Sequence, residues 1–407
     1  MLGIESNQHR TPRFQGKYSY HTHLPENPER SNSLNFSEAG WWGRVLLAMK
    51  VLIPILIGLL VVACRGLLPT PTEPAIEKAQ NETPSNGDEK NSTKVKLVKE
   101  LTPEERDAVK SGISARASDR LGNWGEIMRG KAEFYAASDV SDSNINLTKK
   151  WYEVASKAWG NYGPLEFWIV GSSKAAAEEL DKKYCDIRKQ KDPTISLKHC
   201  LNRGHNFVSY AKEGNAGLNT RRSENERWSG FIITMSAKFP GPEEEDYKSV
   251  VLHEYFHVYQ HAHIHSRKHS ERESMNQKNP WWGEGGAEYM AQLLYSKQKG
   301  IRPGYLKENM KRKLRSLENL RAGESIKDIP YGKRGMIAYD LGAWFIAFLI
   351  NKTSEEAYRV KFYRDLNIEG FEGSFIKNFG SSSKDFLDEF HNTFLKLNLA
   401  DKMKILP

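Results

Sequence analysis

Residues 251–265 read VLHEYFHVYQHAHIH, with five histidines and one glutamate in fifteen positions. His253 and His257 stand four residues apart, and Glu254 lies between them. Positions 243–267 contain neither proline nor glycine, and Val250, Val251, Leu252, Phe256 and Val258 supply an apolar side. The pattern predicts a helix. On a helix, residues i and i+4 share a face, so both imidazoles can reach one ion. Glu254 is then placed to take a proton from water at that ion. A hydrolytic site of this kind needs a third protein ligand and an open position.

Two places offer the third ligand. His263 follows His257 by six residues, and the resulting HExxHxxQxxH resembles the metzincin pattern. Metzincins have glycine where this chain has Gln260, and that glycine turns the chain back to the metal. Gln260 predicts a continuing helix with His263 pointing away. The second place is Pro280–Tyr289, PWWGEGGAEY, where Glu284 and Glu288 lie one helical turn apart. With HExxH, the Trp281-x-x-Glu284-Gly-x-Ala287 run resembles the gluzincin metallopeptidases, on their aminopeptidase-like branch. The resemblance implies zinc, one ion per chain, held by His253, His257 and Glu284. It implies Glu288 behind His253, holding the outer ring nitrogen. The reverse assignment, with Glu288 as ligand and Glu284 capping the helix, shares the geometry.

A third block, Ala338–Trp344 (AYDLGAW), resembles the Tyr-x-x-Gly-Ala segment of the same branch. There the tyrosine hydroxyl donates to the oxyanion, so the resemblance implies Tyr339 in that role. A buried core tyrosine is the structural alternative. The likeness extends over roughly 230–395, including NFGSSSKDFLDEF. The Gly-x-Met-Glu-Asn segment with which aminopeptidases hold a free amine is absent, which argues for an endopeptidase or a specialised peptidase. Residues 231–236, FIITMS, read either as the edge strand that pairs with substrate backbone in gluzincins or as an ordinary sheet strand. Trp281 and Trp282 read either as an apolar wall of the site or as packing.

The 407 residues carry a net charge of +9, with 39% hydrophobic and 11% aromatic residues. That is a globular composition with added polar segments. Lys and Arg are interspersed with Asp and Glu, and no nucleic-acid module is present, so nucleic acid is not an expected partner. The expected partners are a peptide or protein substrate and a membrane.

Residues 49–64, MKVLIPILIGLLVVAC, have the order of an export signal: a cationic start, an apolar run and a small residue before Cys64. The Val-Val-Ala-Cys ending resembles the lipobox of bacterial lipoproteins, in which the cysteine is lipidated. Extended back to Val45, the run also reads as a signal-anchor helix; cleavage as an ordinary signal is a third reading. Each places the rest of the chain outside the cytoplasm, in a bacterial periplasm or at the cell surface. Residues 1–48 read as a doubtful extension upstream of Met49. Residues 65–100, rich in Pro, Glu, Asn and Ser, read as a disordered tether. Of three cysteines, Cys185 and Cys200 remain as a candidate disulfide in an exported domain.

Beyond the tether, Thr102-Pro103-Glu104-Glu105 predicts a helix start, with the helix running on toward 137. Further helices are expected over 148–159 and 173–184, strands within 163–172 and 229–240, and mainly helix beyond 243. The expected fold is α+β and gluzincin-like: a small mixed sheet lobe over 101–242 and a mainly helical lobe over 243–400, with the active-site helix between them. Two other functions fit the same residues. One is a non-catalytic zinc-binding or scaffold lipoprotein that kept the fold. The other is a His-rich metal-binding or transfer protein using His261, His263, His265 and His269.

Overall fold

The computed structural model describes residues 125–128, 130–221, 228–237 and 246–407. The signal-like run with Cys64, the tether and the helix start at 102–105 lie outside the described residues. Among those residues, no helix is long and apolar enough to cross a membrane.

The first element among the described residues is strand β1 (Glu133–Ala136), then α1 (Asp142–Trp159), β2 (Leu165–Val170), α2 (Lys174–Lys191), α3 (Leu197–Arg203), α4 (Phe207–Glu213), β3 (Ala216–Arg221) and β4 (Gly230–Ser236). Helices follow: α5 (Tyr247–Ala262), α6 (His269–Asn276), α7 (Pro280–Ser296), α8 (Tyr305–Lys313), α9 (Gly335–Lys352), α10 (Tyr363–Phe379), α11 (Ser383–Asn392) and α12 (Leu399–Met403). A π-helical turn, Ala357–Phe362, leads into α10. The architecture is α+β, with a small mixed sheet and a mostly helical C-terminal region. The expectation of helix up to 137 fails at its end, because Glu133–Ala136 pairs with β2 as a strand. Phe134 and Tyr135 are the local reason: aromatic side chains stack on Phe167 and Trp168 of the neighbouring strand, at 4.9 and 4.3 Å between ring centroids.

The sheet order is β1-β2-β4-β3. β1, β2 and β4 run parallel, and β3 is antiparallel to β4. Every residue of β2 is buried, as expected of a parallel strand covered on both faces. Alternation sends Phe167 and Ile169 into the core shared with α1 and α5, and Trp168 and Val170 into a second core under α2 and α4. Glu166 falls on this second, apolar side and is fully buried. It is tolerated because Arg188, Lys191 and the Trp168 indole all donate to its carboxylate.

Helix α5 is central. Asp246 caps it, accepting from the Lys248 backbone N–H at 3.1 Å. α1 packs along it through Trp159 on Phe256 and Tyr152 on Tyr255. On its other side lies α7, which opens with Pro280 at the first helical position. Tyr295, in the last turn of α7, donates to Asp246 Oδ2 at 3.0 Å, tying the end of α7 to the start of α5. α9 then crosses α7 at very short range: a Cβ built on Gly285 would lie 2.5 Å from the Gly342 carbonyl carbon. Trp281 and Trp282 are buried beneath α7 among Phe345, Phe362, Phe371 and Phe375, so packing is the reading that holds for them.

Candidate metal centre

α5 projects His253 and His257 one turn apart, with their Nε2 atoms 3.1 Å from each other. Across from them, α7 projects Glu284, whose Oε2 lies 3.2 Å from His253 Nε2 and 2.9 Å from His257 Nε2. Three ligand-type atoms from two helices therefore form a small triangle. Ligands bound ~2.0–2.1 Å from a tetrahedral zinc ion stand about 3.3 Å apart, so the donor set fits zinc in type and spacing. The group is nearly buried, with side-chain exposures of 13% for His253, 10% for His257 and 9% for Glu284.

Each of the three is held from behind. His253 Nδ1 lies 2.9 Å from Glu288 Oε2, so Glu288 faces the outer ring nitrogen while Glu284 faces Nε2. Glu288 is in turn paired with Lys313 of α8, and Lys313 Nζ is 3.6 Å from Asp340 Oδ1. Ser316 donates to the other oxygen of Asp340. His257 Nδ1 lies 2.8 Å from Gln260 Oε1, and Gln260 Nε2 donates to the Gly283 carbonyl at 2.9 Å. That second bond fixes which way the amide faces. A carbonyl can only accept, so the nitrogen of Gln260 must point at Gly283 and its oxygen at His257. His257 must then carry its proton on Nδ1, which leaves the Nε2 lone pair free for an ion. Glu284 Oε1 accepts from the Tyr331 hydroxyl at 3.0 Å.

These contacts set the charges. Burial lowers the imidazole pKa of His253, but Glu284 and Glu288 outweigh it and raise the group well above 6.5. His257 is also raised, burial being outweighed chiefly by Glu284. Burial would raise Glu284, yet His257 and His253 hold its carboxyl well below the usual range. Glu254 behaves differently. Burial raises its pKa, His253 and His257 pull it back, and Glu284 pushes it up again. Its Oε2 is buried with no hydrogen-bond partner. A carboxylate beside two metal-type imidazoles, with one oxygen uncommitted, is equipped to accept a proton.

Other sequence candidates sit elsewhere. His263 ends α5; its Nδ1 lies 2.7 Å from the Tyr259 carbonyl, and its Nε2 is 3.5 Å from the Tyr162 hydroxyl, away from Glu284. Tyr339 packs edge to face on Tyr331, ring centroids 6.3 Å apart. The AYDLGAW block reaches the centre through Asp340, behind Glu288, and through the close approach of Gly342 to α7. FIITMS is β4, paired on both sides, so it is not an edge strand. Among the described residues the strand paired on one side only, beside α5, is β3. Tyr210 of α4 lies close over β3, where a Cβ on Gly217 would be 2.8 Å from its hydroxyl. Burial pushes Tyr210 up to about 12, and the charge of Glu254 adds to the effect. Cys185 and Cys200 are joined by a disulfide, with Cα atoms 5.7 Å apart.

Sequence reasoning passed over Gln260 and Tyr331. Gln260 registered only as a missing glycine, although its position three residues after His257 places it on the helix face next to that ring. Tyr331 lies on a loop 47 positions after Glu284, and no local spacing signals it.

No curated protein matches the chain. The family model described as M61 glycyl aminopeptidase matches residues 246–332, a minority of the chain that contains α5 to α8, Gln260 and Tyr331, and that ends before Tyr339. Over that stretch, which holds the whole His253–His257–Glu284 cluster, the chain is similar to a zinc metallopeptidase family of the gluzincin type.

Proposed function

We propose that the chain is a zinc-dependent peptidase that hydrolyses peptide bonds with Glu254 as general base. The observation that carries this reading is the convergence of His253, His257 and Glu284, each held from behind, beside a buried Glu254 with an uncommitted oxygen. The likeness to a peptidase family over these residues supports it. His253, His257 and Glu284 would hold the ion, which when bound supplies Lewis acidity and activation of water near neutral pH. Glu254 takes a proton from the attacking water and delivers it to the leaving amine. A peptide lying along the open side of β3 would present its carbonyl toward α5. Tyr339 or Tyr331 would donate to the oxyanion.

Zinc quantification with a peptide-library cleavage assay, on the wild type and on Glu254→Gln, tests the reading. One zinc per chain is expected in both, with cleavage lowered by roughly 10²–10⁴ in the variant. Full turnover by Glu254→Gln refutes the assignment. Zinc binding without any cleavage by the wild type would favour the scaffold reading. The matched family is named for an aminopeptidase, whereas this chain lacks the amine-holding segment of aminopeptidase-like gluzincins; paired peptides with free and acetylated N-termini decide between exo- and endopeptidase action.

Residues 49–64 support export and lipid attachment at Cys64, with 65–100 as a spacer that stands the catalytic part off a membrane. Fatty-acid labelling that persists in Cys64→Ser would exclude it.

A further inference from the structure

A second cluster of metal-type side chains lies away from α5 and α7, around the disulfide. Asp181 and Cys185 are one turn apart on α2, Cys200 is on α3, and His205 lies just before α4. The two sulfurs and a ring nitrogen of His205 all lie within 4.8 Å of one another. Asp181 holds the histidine twice: Oδ2 accepts from the His205 backbone N–H at 3.2 Å, and Oδ1 is 2.5 Å from Nδ1. With Nδ1–H given to Asp181, a neutral ring keeps its lone pair on Nε2, and Nε2 faces Cys200 Sγ at 4.0 Å. Carboxylate behind, imidazole lone pair in front, is the arrangement proteins use to orient a metal-binding histidine. Asp181 and Cys200 thus bracket the His205 ring, with Asp181 on Nδ1 and the sulfur on Nε2. Cys185 is fully buried and Cys200 nearly so, while the His205 side chain is 23% exposed, so solvent reaches the cluster at His205.

We propose that in the dithiol form of the chain Cys185, Cys200 and His205 bind a thiophilic divalent cation such as zinc, with Asp181 orienting His205, so that this metal site and the disulfide are alternative states of one cluster. Two thiolates and one imidazole match the soft and borderline donors zinc takes, and the exposed side leaves a fourth position for water. A dithiol reductant breaks the Sγ–Sγ bond: two electrons and two protons pass to the sulfurs, and the reductant leaves as its own disulfide. The cation then displaces the two thiol protons. The disulfide links α2 to α3; the metal would also take in His205 and so the start of α4, which carries Tyr210 toward β3.

The test is cobalt(II) titration of the full chain, oxidised and after reduction by a phosphine, which becomes the phosphine oxide as water supplies the oxygen and two protons. The readout is thiolate-to-cobalt charge-transfer absorption, which a His253–His257–Glu284 centre cannot produce. One additional equivalent with that absorption is expected in the reduced chain only. Asp181→Asn should weaken it by roughly 10–100-fold, and His205→Ala, which keeps the disulfide for folding, should abolish tight binding. A reduced chain that binds no additional equivalent overturns the proposal, as does thiolate absorption unchanged in His205→Ala. A reduced chain whose helical circular dichroism collapses also overturns it, since the site needs α2 and α3 held without the covalent bond. Whether Glu254→Gln cleaves peptide has no bearing on any of these outcomes.

Discussion

Replacing Gln260 by methionine tests whether the amide, rather than the helix alone, prepares His257 for an ion. The side chain is fully buried, and its two bonds are distinct. Losing the oxygen leaves the Nδ1–H of His257 buried without an acceptor, which costs about 1–3 kcal/mol. Losing the nitrogen costs less, because the Gly283 carbonyl lies inside α7 and keeps its helical partner there. Methionine has nearly the volume of glutamine, so no sizeable cavity adds to the sum. The fold should lose about 1–3 kcal/mol. The metal should be lost on a second account: with no fixed acceptor, the ring can place its proton on Nε2 or rotate. Partners of this kind typically govern 10–100-fold in metal affinity, about 1.4–2.7 kcal/mol. Urea unfolding of the metal-free chain measures the first effect, and chelator competition for zinc the second. Asparagine at 260 is too short to span both partners and should resemble methionine. Wild-type zinc affinity in Gln260→Met, with the fold intact, would refute the tautomer argument.

Further outcomes follow from the same geometry. Tyr331→Phe removes the donor to Glu284 Oε1 and should lower zinc affinity, whereas Tyr339→Phe should leave zinc binding unchanged and lower kcat by roughly 10²-fold; a kcat loss in Tyr331→Phe at unchanged zinc affinity would move the oxyanion role to Tyr331. Gly286→Ala should destabilise the chain by about 1–3 kcal/mol, because its Cβ would lie 2.1 Å from the Tyr358 hydroxyl and 3.0 Å from Gln260 Nε2; Tyr358→Phe in the same chain should restore most of the loss, and an additive double mutant in thermal melts would contradict the contact. Zinc affinity should fall on acidification with a slope of up to two protons per ion, because the raised pKa values of His253 and His257 let protons compete up to higher pH. The metal-free fold responds in the opposite sense: those raised values contribute stability below the unfolded value of 6.5, and it is lost as pH rises through the folded ones. Parallel melts with and without chelator separate the two slopes.

What could be read from residues alone tracks how local the cause is. His253, Glu254 and His257 are legible because a helix brings positions four apart to one face whatever surrounds it. Glu284 and Glu288 are legible for the same reason, being one turn apart on one helix face, and the structure brings both against His253. β1 and β3 were not legible. Each is an outer strand of the sheet, short and partly exposed, and neither carries a long apolar run; what makes them strands is pairing with β2, across an intervening helix, and with β4. The same applies to FIITMS, whose residues declare a strand but not whether both of its edges are taken. Tyr331 and Lys313 escaped notice because loops and later helices deliver them, and nothing local distinguishes them from any other tyrosine or lysine.

The glycines around Glu284 show how its carboxylate is kept in place. A Cβ on Gly283 would come within 2.9 Å of the Asn276 amide, one on Gly285 within 2.5 Å of the α9 backbone, and one on Gly286 within 2.1 Å of the Tyr358 hydroxyl. Those are three directions around one helix, each filled by a different neighbour: the end of α6, the body of α9 and the π-helical turn. Glu284 and Glu288 point toward His253 and His257 of α5. Gly342 completes the fit from the α9 side, since a Cβ there would meet the Trp281 carbonyl at 2.4 Å. The cost of so many helical glycines is of the order of 1 kcal/mol each relative to alanine. It is offset by burying Trp281, Trp282 and the face of α9 against one another. A helix packed this closely on three sides has little room to roll, so packing around α7 holds the Glu284 carboxylate where it meets the two imidazoles.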